Sequence, residues 1–201
     1  MKKFGTAMIL AGGKSSRMGF DKQLLKIDER RLMDNLAQKL SKEFEEIIIV
    51  TNRPELYIGL SHIITMDILK DKGPLGGIHA GLVKSSSEYA FVVACDMPNI
   101  NMEYVRFMKS KTKLDSMGCV TKFGKWIEPF SSFYSVEMIQ HIEKYLATNR
   151  RSINGLIDDF HITYIEEKEA RKYSPSWDMF LNLNTKEDLE NYLQNASGWK
   201  R

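Results

Sequence analysis

"MILAGGKSSRMGFDK", Met8 to Lys22, carries an apolar run straight into two glycines, two serines, an arginine and a lysine. The run has the length of a strand and Gly12-Gly13 ends it, so the stretch reads as a buried strand entering a loop. Such a loop cannot bury itself, because its polar backbone and charged side chains need partners that a core does not supply. Consecutive glycines let a backbone approach a ligand closely and turn amide protons toward anionic oxygens. Arg17 adds a planar fork suited to phosphate and Lys22 a point charge, whereas Lys14 reads as a solvated surface residue. The loop is neither a Walker motif nor G-x-G-x-x-G. Turn glycines without a ligand stand as the alternative to a phosphate cradle.

Outward from this stretch the chain alternates. Leu32, Leu36 and Leu40 fall at helical spacing between Arg31 and Phe44, and "IIIVTN", Ile47 to Asn52, is a second buried strand rich in branched side chains. "HIITM" predicts a third strand, and "GGIHAGLVKSS" a helix with Ile78, Leu82 and Val83 as its apolar stripe. "YAFVVACD", Tyr89 to Asp96, is a fourth strand, followed by a helix over Met102 to Lys111. In the second half, "SMGCVT" and "WIEPFSSFYS" read as strands, "VEMIQHIEKYLA" as an amphipathic helix and "ITYIEE" as a short strand. Asn182-Leu183-Asn184 reads as a last strand before a closing helix capped by Thr185 or Asn184, with a frayed terminus beyond it.

Strands alternating with helices predict an α/β fold with a mostly parallel central sheet and helices on both faces. Ligands then bind at the carboxyl ends of the strands. Three polar clusters fall there: the glycine loop, Asp67 and Asp96. A carboxylate at Asp96 can hold a hard divalent cation against phosphate oxygens, or it can simply cap the next helix. Asp67 has the same two readings, and Asp71 reads as surface. "GPLGGIHAGL", Gly73 to Leu82, either presents amides to an anion or packs tightly against the sheet.

The totals exclude several classes. With 201 residues, 43% hydrophobic and 27% charged, the chain suits one globular domain. A net charge of +3, with lysines scattered among glutamates, gives no concentrated basic face for nucleic acid. No segment has the roughly 20 apolar residues needed to span a bilayer. Cys95 and Cys119 match no zinc spacing and read as reduced thiols, so the expected compartment is the cytoplasm. The four histidines show no mutual spacing for metal ligation, and the methionines read as core fillers.

"LAGGKSSRMGFDK", "DKGPLGGI", "ACDMP", "EPFSSFY" and "FLNLNT" occur in an order that resembles the molybdenum cofactor guanylyltransferases, nucleotidyltransferases built on a Rossmann-like sheet. The resemblance runs from Met8 to about Leu189. It implies transfer of GMP from GTP to molybdopterin cofactor, with magnesium and release of pyrophosphate. It implies a single nucleotidyltransferase domain over 1–201, with residues 1–100 serving the nucleotide and 101–195 the acceptor. Carried onto this chain, Leu10, Ala11, Gly12, Gly13, Lys22, Asn52, Asp67 and Asp96 bind the nucleotide, and Arg17, Lys22 and Asp96 do the chemistry. Asp96 holds the metal, and Gly77, Asn182 and Asn184 serve the acceptor. Some members of the family have a base-contacting asparagine within the second strand; here Val50 takes that place, with Asn52 nearby. Molybdoenzyme apoproteins or cofactor-delivery proteins are the implied downstream partners. A cytidylyltransferase for the same cofactor, a sugar or polyol-phosphate nucleotidyltransferase, and a nucleotide-binding regulatory domain without turnover are the alternatives.

Overall fold

A computed structural model describes residues 1–12, 22–27 and 29–198. In chain order the first half holds β1 (Thr6–Leu10), a small hairpin of β2 (Lys26–Ile27) and β3 (Arg30–Arg31), α1 (Leu32–Leu40), β4 (Glu46–Val50), β5 (Ile63–Thr65), α2 (Pro74–Lys84) and β6 (Tyr89–Ala94). The second half holds α3 (Met102–Lys111), β7 (Gly118–Phe123), β8 (Trp126–Ser135), α4 (Met138–Ala147), α5 (Ile153–Ile157), β9 (Thr163–Glu166), α6 (Glu167–Ala170) and α7 (Lys186–Gly198). Among the described residues one seven-stranded sheet runs in the order β5-β4-β1-β6-β8-β7-β9. The pairings β5/β4, β4/β1, β1/β6 and β7/β9 are parallel, and β8 is antiparallel to both its neighbours. The mostly parallel sheet expected from the alternating pattern is therefore present.

Strand β1 lies inside this sheet, and its side chains show why an unbroken apolar run was required. Met8 and Leu10 join Ile48, Val50, Ala90 and Val92 on one face, under Leu75, Ile78 and Leu82 of α2 and Met138 and Ile142 of α4. Ala7 and Ile9 point the other way, with Ile47, Ile49, Phe91 and Val93, against Met33, Leu36 and Leu40 of α1 and Val105 and Met108 of α3. A strand covered on both faces must be apolar at every position rather than at alternate ones. Burying each large side chain contributes about 1.5–3 kcal/mol.

Two details depart from the sequence reading. Val83 is exposed and Leu75 takes its place in the apolar stripe of α2, because helical geometry carries residue 83 too far round from Ile78. Asn182-Leu183-Asn184 is not a strand. Its alternation imitates one, but only the Leu183 amide pairs with the sheet end, donating to the Asp96 carbonyl at 2.9 Å. The amides of Asn184 and Thr185 both donate to Asp188 Oδ2 at 2.8 Å, and Thr185 Oγ1 accepts from the Asp188 amide, which starts α7. No helix of the described residues is long and apolar enough to cross a membrane.

Candidate active site

The ladder continues past the end of β1 on both sides. Ala11 donates to the Val50 carbonyl at 2.8 Å, and Cys95 donates to that of Leu10 at 3.1 Å. Leu10 and Ala11 are thus buried and fixed, and Gly12 is the first residue to leave the sheet. Gly13 and Arg17 lie outside the described residues. The chain re-enters at Lys22, where the buried side chain of Gln23 anchors it. Gln23 Oε1 accepts from Thr51 Oγ1 at 2.7 Å and from the Tyr57 hydroxyl at 3.0 Å. The return limb of the glycine loop is in this way pinned to the carboxyl end of β4.

That anchor directs Lys22 across the strand ends. Its Nζ donates to Asp96 Oδ2 at 2.6 Å and to Asn184 Oδ1 at 2.9 Å. Both members of the Lys22–Asp96 pair are largely shielded, with side chains 23% and 13% exposed, so the attraction is less screened than on an open surface. Asp96 Oδ1 is buried with no hydrogen-bond partner among the described residues. The capping alternative for Asp96 is eliminated by α3 itself, whose first turn is capped by Asn101. Asn101 Oδ1 accepts from the amides of Glu103 and Tyr104 at 2.9 and 3.0 Å.

Asp67 and Asn52 form a second polar group on the other side of Gly12. Asn52 Nδ2 donates to Asp67 Oδ2 at 3.5 Å, and a Cβ on Gly12 would stand 3.8 Å from that same nitrogen. Burial raises the Asp67 pKa and the Asp71 charge adds to this, while the Asn52 hydrogen bond opposes it. Gly77 adjoins this group, since its Cβ would lie 3.4 Å from Leu10 and 3.7 Å from Asp67. The structure therefore brings Leu10, Gly12, Asn52, Asp67 and Gly77 together, and separately Lys22, Asp96 and Asn184. Asn182 turns back locally, donating from Nδ2 to the Phe180 carbonyl at 3.0 Å. The close-packing alternative for the α2 glycines holds at Gly81, where a Cβ would come within 2.5 Å of Met8 Sδ.

Sequence reasoning passed over Glu128 of β8. Burial, with the Asp96 charge in addition, pushes its pKa up to about 7 against a hydrogen bond from the Phe130 amide. The signal was available: a glutamate directly before a proline, inside a run otherwise suited to a covered strand.

Residues 7–161 match the family model described as a MobA-like NTP transferase domain. The chain belongs to this family. As a nucleotidyltransferase it is 50% identical over 199 residues to a probable molybdenum cofactor guanylyltransferase of Peptoclostridium acidaminophilum, covering 96% of this chain and 90% of that one. It is 46% identical over 197 residues to the molybdenum cofactor guanylyltransferase of Syntrophotalea carbinolica, covering 98% and 94%. The fold matches the crystal structure of molybdopterin-guanine dinucleotide biosynthesis protein A from Archaeoglobus fulgidus with a TM-score of 0.82 at 22% identity, covering 96% of this nucleotidyltransferase and 99% of that chain.

Proposed function

We propose that this nucleotidyltransferase transfers GMP from GTP to molybdopterin cofactor and releases pyrophosphate. The observation that carries the reading is the meeting of Lys22 with Asp96 and Asn184 at the strand ends, beside the exit of the chain at Gly12. A terminal phosphate on the acceptor would attack the α-phosphorus; the new bond joins that phosphate oxygen to phosphorus, and the bond to the bridging oxygen breaks. Such a phosphate is already ionised near neutral pH, so no strong general base is needed. The task is electrostatic: fixed cations and amides must meet the charge that gathers on the phosphoryl oxygens. Lys22 is the described cation suited to this, with Arg17 assigned the same role from the sequence.

Magnesium fits the residues present. Asp96 Oδ2 and Asn184 Oδ1 already converge on one positive centre, the Lys22 ammonium, and Asp96 Oδ1 has no partner among the described residues. These are hard oxygen donors of the kind magnesium prefers. When bound, the metal would neutralise phosphate charge and ease departure of pyrophosphate. Leu10, Ala11, Gly12 and Gly13 supply backbone to the nucleotide in this reading, and Asn52 and Asp67 face its base. Guanine offers two adjacent donors, N1–H and the 2-amino group, to one carboxylate, whereas cytosine offers only its 4-amino group beside acceptors. Asp67 thus favours guanine. Asn182 and Asn184 bound the acceptor side, whereas Gly77, assigned there from the sequence, adjoins Asp67 and so serves the base side in this reading. The buried cysteines Cys95 and Cys119, which form no disulfide, suit a cytoplasmic enzyme.

The test is incubation with magnesium, molybdopterin cofactor and α-labelled GTP or CTP, following label in the product and pyrophosphate release. Label from GTP should enter the dinucleotide with the higher kcat/KM. Equal or preferred use of CTP would replace this reading with the cytidylyltransferase one, and binding without pyrophosphate would replace it with a regulatory domain.

A further inference from the structure

Strand β8 is distorted where it passes the active site. Cys119 pairs with Phe133, and Thr121 pairs with Glu128, so β7 advances by two residues while β8 covers five. Pairing is regular on both sides of this bulge: Phe123 pairs with Trp126 at the hairpin tip, and Phe91 of β6 pairs with Phe133. Inside the bulge Ser131 takes a left-handed backbone, φ 64°, which L residues avoid at a cost of about 1 kcal/mol or more. The distortion is braced rather than loose. Phe130 donates from its amide to Glu128 Oε1 at 3.0 Å, Ser132 Oγ donates to the Glu128 carbonyl at 2.6 Å, and the Tyr134 hydroxyl donates to the Pro129 carbonyl at 2.8 Å. Bulges held in this way commonly re-aim a side chain beside an active site.

The side chain re-aimed here is the Glu128 carboxylate. The antiparallel register of β6 and β8, which pairs Phe91 with Phe133 and Val92 with Ser132, carried four residues on brings Asp96 level with Glu128, and the Asp96 charge acts on Glu128 there. Among the described residues Lys22 is the cation that bonds to this pair, and it bonds to Asp96 alone. One ammonium facing two shielded carboxylates leaves a deficit of positive charge, which either a proton or a further cation makes good in a poorly solvated site. Asp96 Oδ1 is the buried side-chain oxygen without a hydrogen-bond partner among the described residues.

We propose that Glu128 is a second carboxylate ligand for the divalent cation held at Asp96, presented to it by the bulge in β8. The inference rests on the reading of Asp96 under Proposed function. The alternative is a purely structural glutamate that caps the Phe130 amide, and Glu128→Gln separates the two. Glutamine keeps a carbonyl oxygen for that amide and loses only the charge. In Mn2+ titrations with GTP present, followed by EPR of the free ion, Glu128→Gln should weaken binding about tenfold or more. Its GTP affinity in EDTA and its unfolding temperature should stay at the wild-type level. Mn2+ affinity equal to that of the wild type would overturn the assignment. Asp96→Asn, measured beside it, separates the two failures: loss of Mn2+ in Asp96→Asn alone rejects Glu128 and keeps the active-site reading, whereas no loss in either rejects both. Wild-type protein carrying 13C-carboxyl glutamate gives a measurement that needs no variant to fold. Electron-nuclear double resonance should then detect a glutamate carbon coupled to bound Mn2+, and absence of that coupling would likewise reject the assignment.

Discussion

Lys22 holds two oxygens at once, one from a carboxylate and one from an amide 162 residues further along the chain. Removing it therefore takes away both the cation that would meet the phosphates and the tie between Asp96 and Asn184. Lys22→Ala and Asp96→Ala should each lower turnover by orders of magnitude in a pyrophosphate-release assay while circular dichroism shows an intact fold. Wild-type rates in either would remove that residue from the mechanism. Gln23 makes a different prediction, because its effect on chemistry would be indirect. Gln23→Leu removes the buried acceptor shared by Thr51 and Tyr57, which should cost about 1–3 kcal/mol in denaturant unfolding. It should also reduce kcat by loosening the placement of Lys22; an unaltered kcat would show that the lysine needs no such anchor.

At the scale of elements, the strand that bends is the one that also constrains its neighbour. Gly118 opens β7 where a Cβ would stand 2.6 Å from the Phe133 carbonyl oxygen of β8, and a backbone atom in a ladder cannot yield cheaply. Gly118→Ala should thus destabilise by about 1–3 kcal/mol, read from a lower denaturant midpoint at unchanged m-value. A second junction is electrostatic. Glu43, just beyond α1, accepts from Lys109 at 2.9 Å and Arg106 at 2.8 Å on α3. Burial alone would raise its pKa, but these two partners outweigh burial and leave it lowered. A lowered carboxylate pKa stabilises the fold above the ordinary carboxylate range, and the gain is lost as pH falls through the lowered value. Glu43→Gln should cost about 1–2 kcal/mol at pH 7, and the gap from wild type should close in melts taken at acid pH. The regular elements were legible because a doubly covered strand must be apolar throughout and a helix carries an apolar stripe. The bulge in β8 was not, since three residues added to a strand change neither its composition nor its alternation enough to be seen.

Across the whole molecule, the cluster at the strand ends was legible as topology and only partly as geometry. Alternating strands and helices predicted that the glycine loop, Asp67 and Asp96 would share one end of the sheet. What the pattern could not supply was the division of that end into an Asn52–Asp67 side and a Lys22–Asp96–Asn184 side, because it depends on contacts between distant parts of the chain. Asn184 illustrates the point. The resemblance assigned it to the acceptor, and only coordinates bring its carbonyl oxygen onto Lys22. The family model matches residues 7–161, yet this contact lies beyond them. A chain ended after Leu181 would keep every strand of the sheet but expose Leu25 and Leu32, which pack on Leu183. It should unfold at lower temperature and show no pyrophosphate release; retained turnover would count against a role for Asn184.

The bond between Lys22 and Asn184 also sets a timetable. A ribosome making this protein adds Lys22 to the chain 162 residues before the asparagine. The nascent chain can pair its strands before it can close its reaction centre, so activity should emerge only once Asn184 has cleared the exit tunnel. Stalled chains displaying residues up to 170 would be inert, and a synthetic peptide carrying residues 171–198 would be the direct means of reviving them.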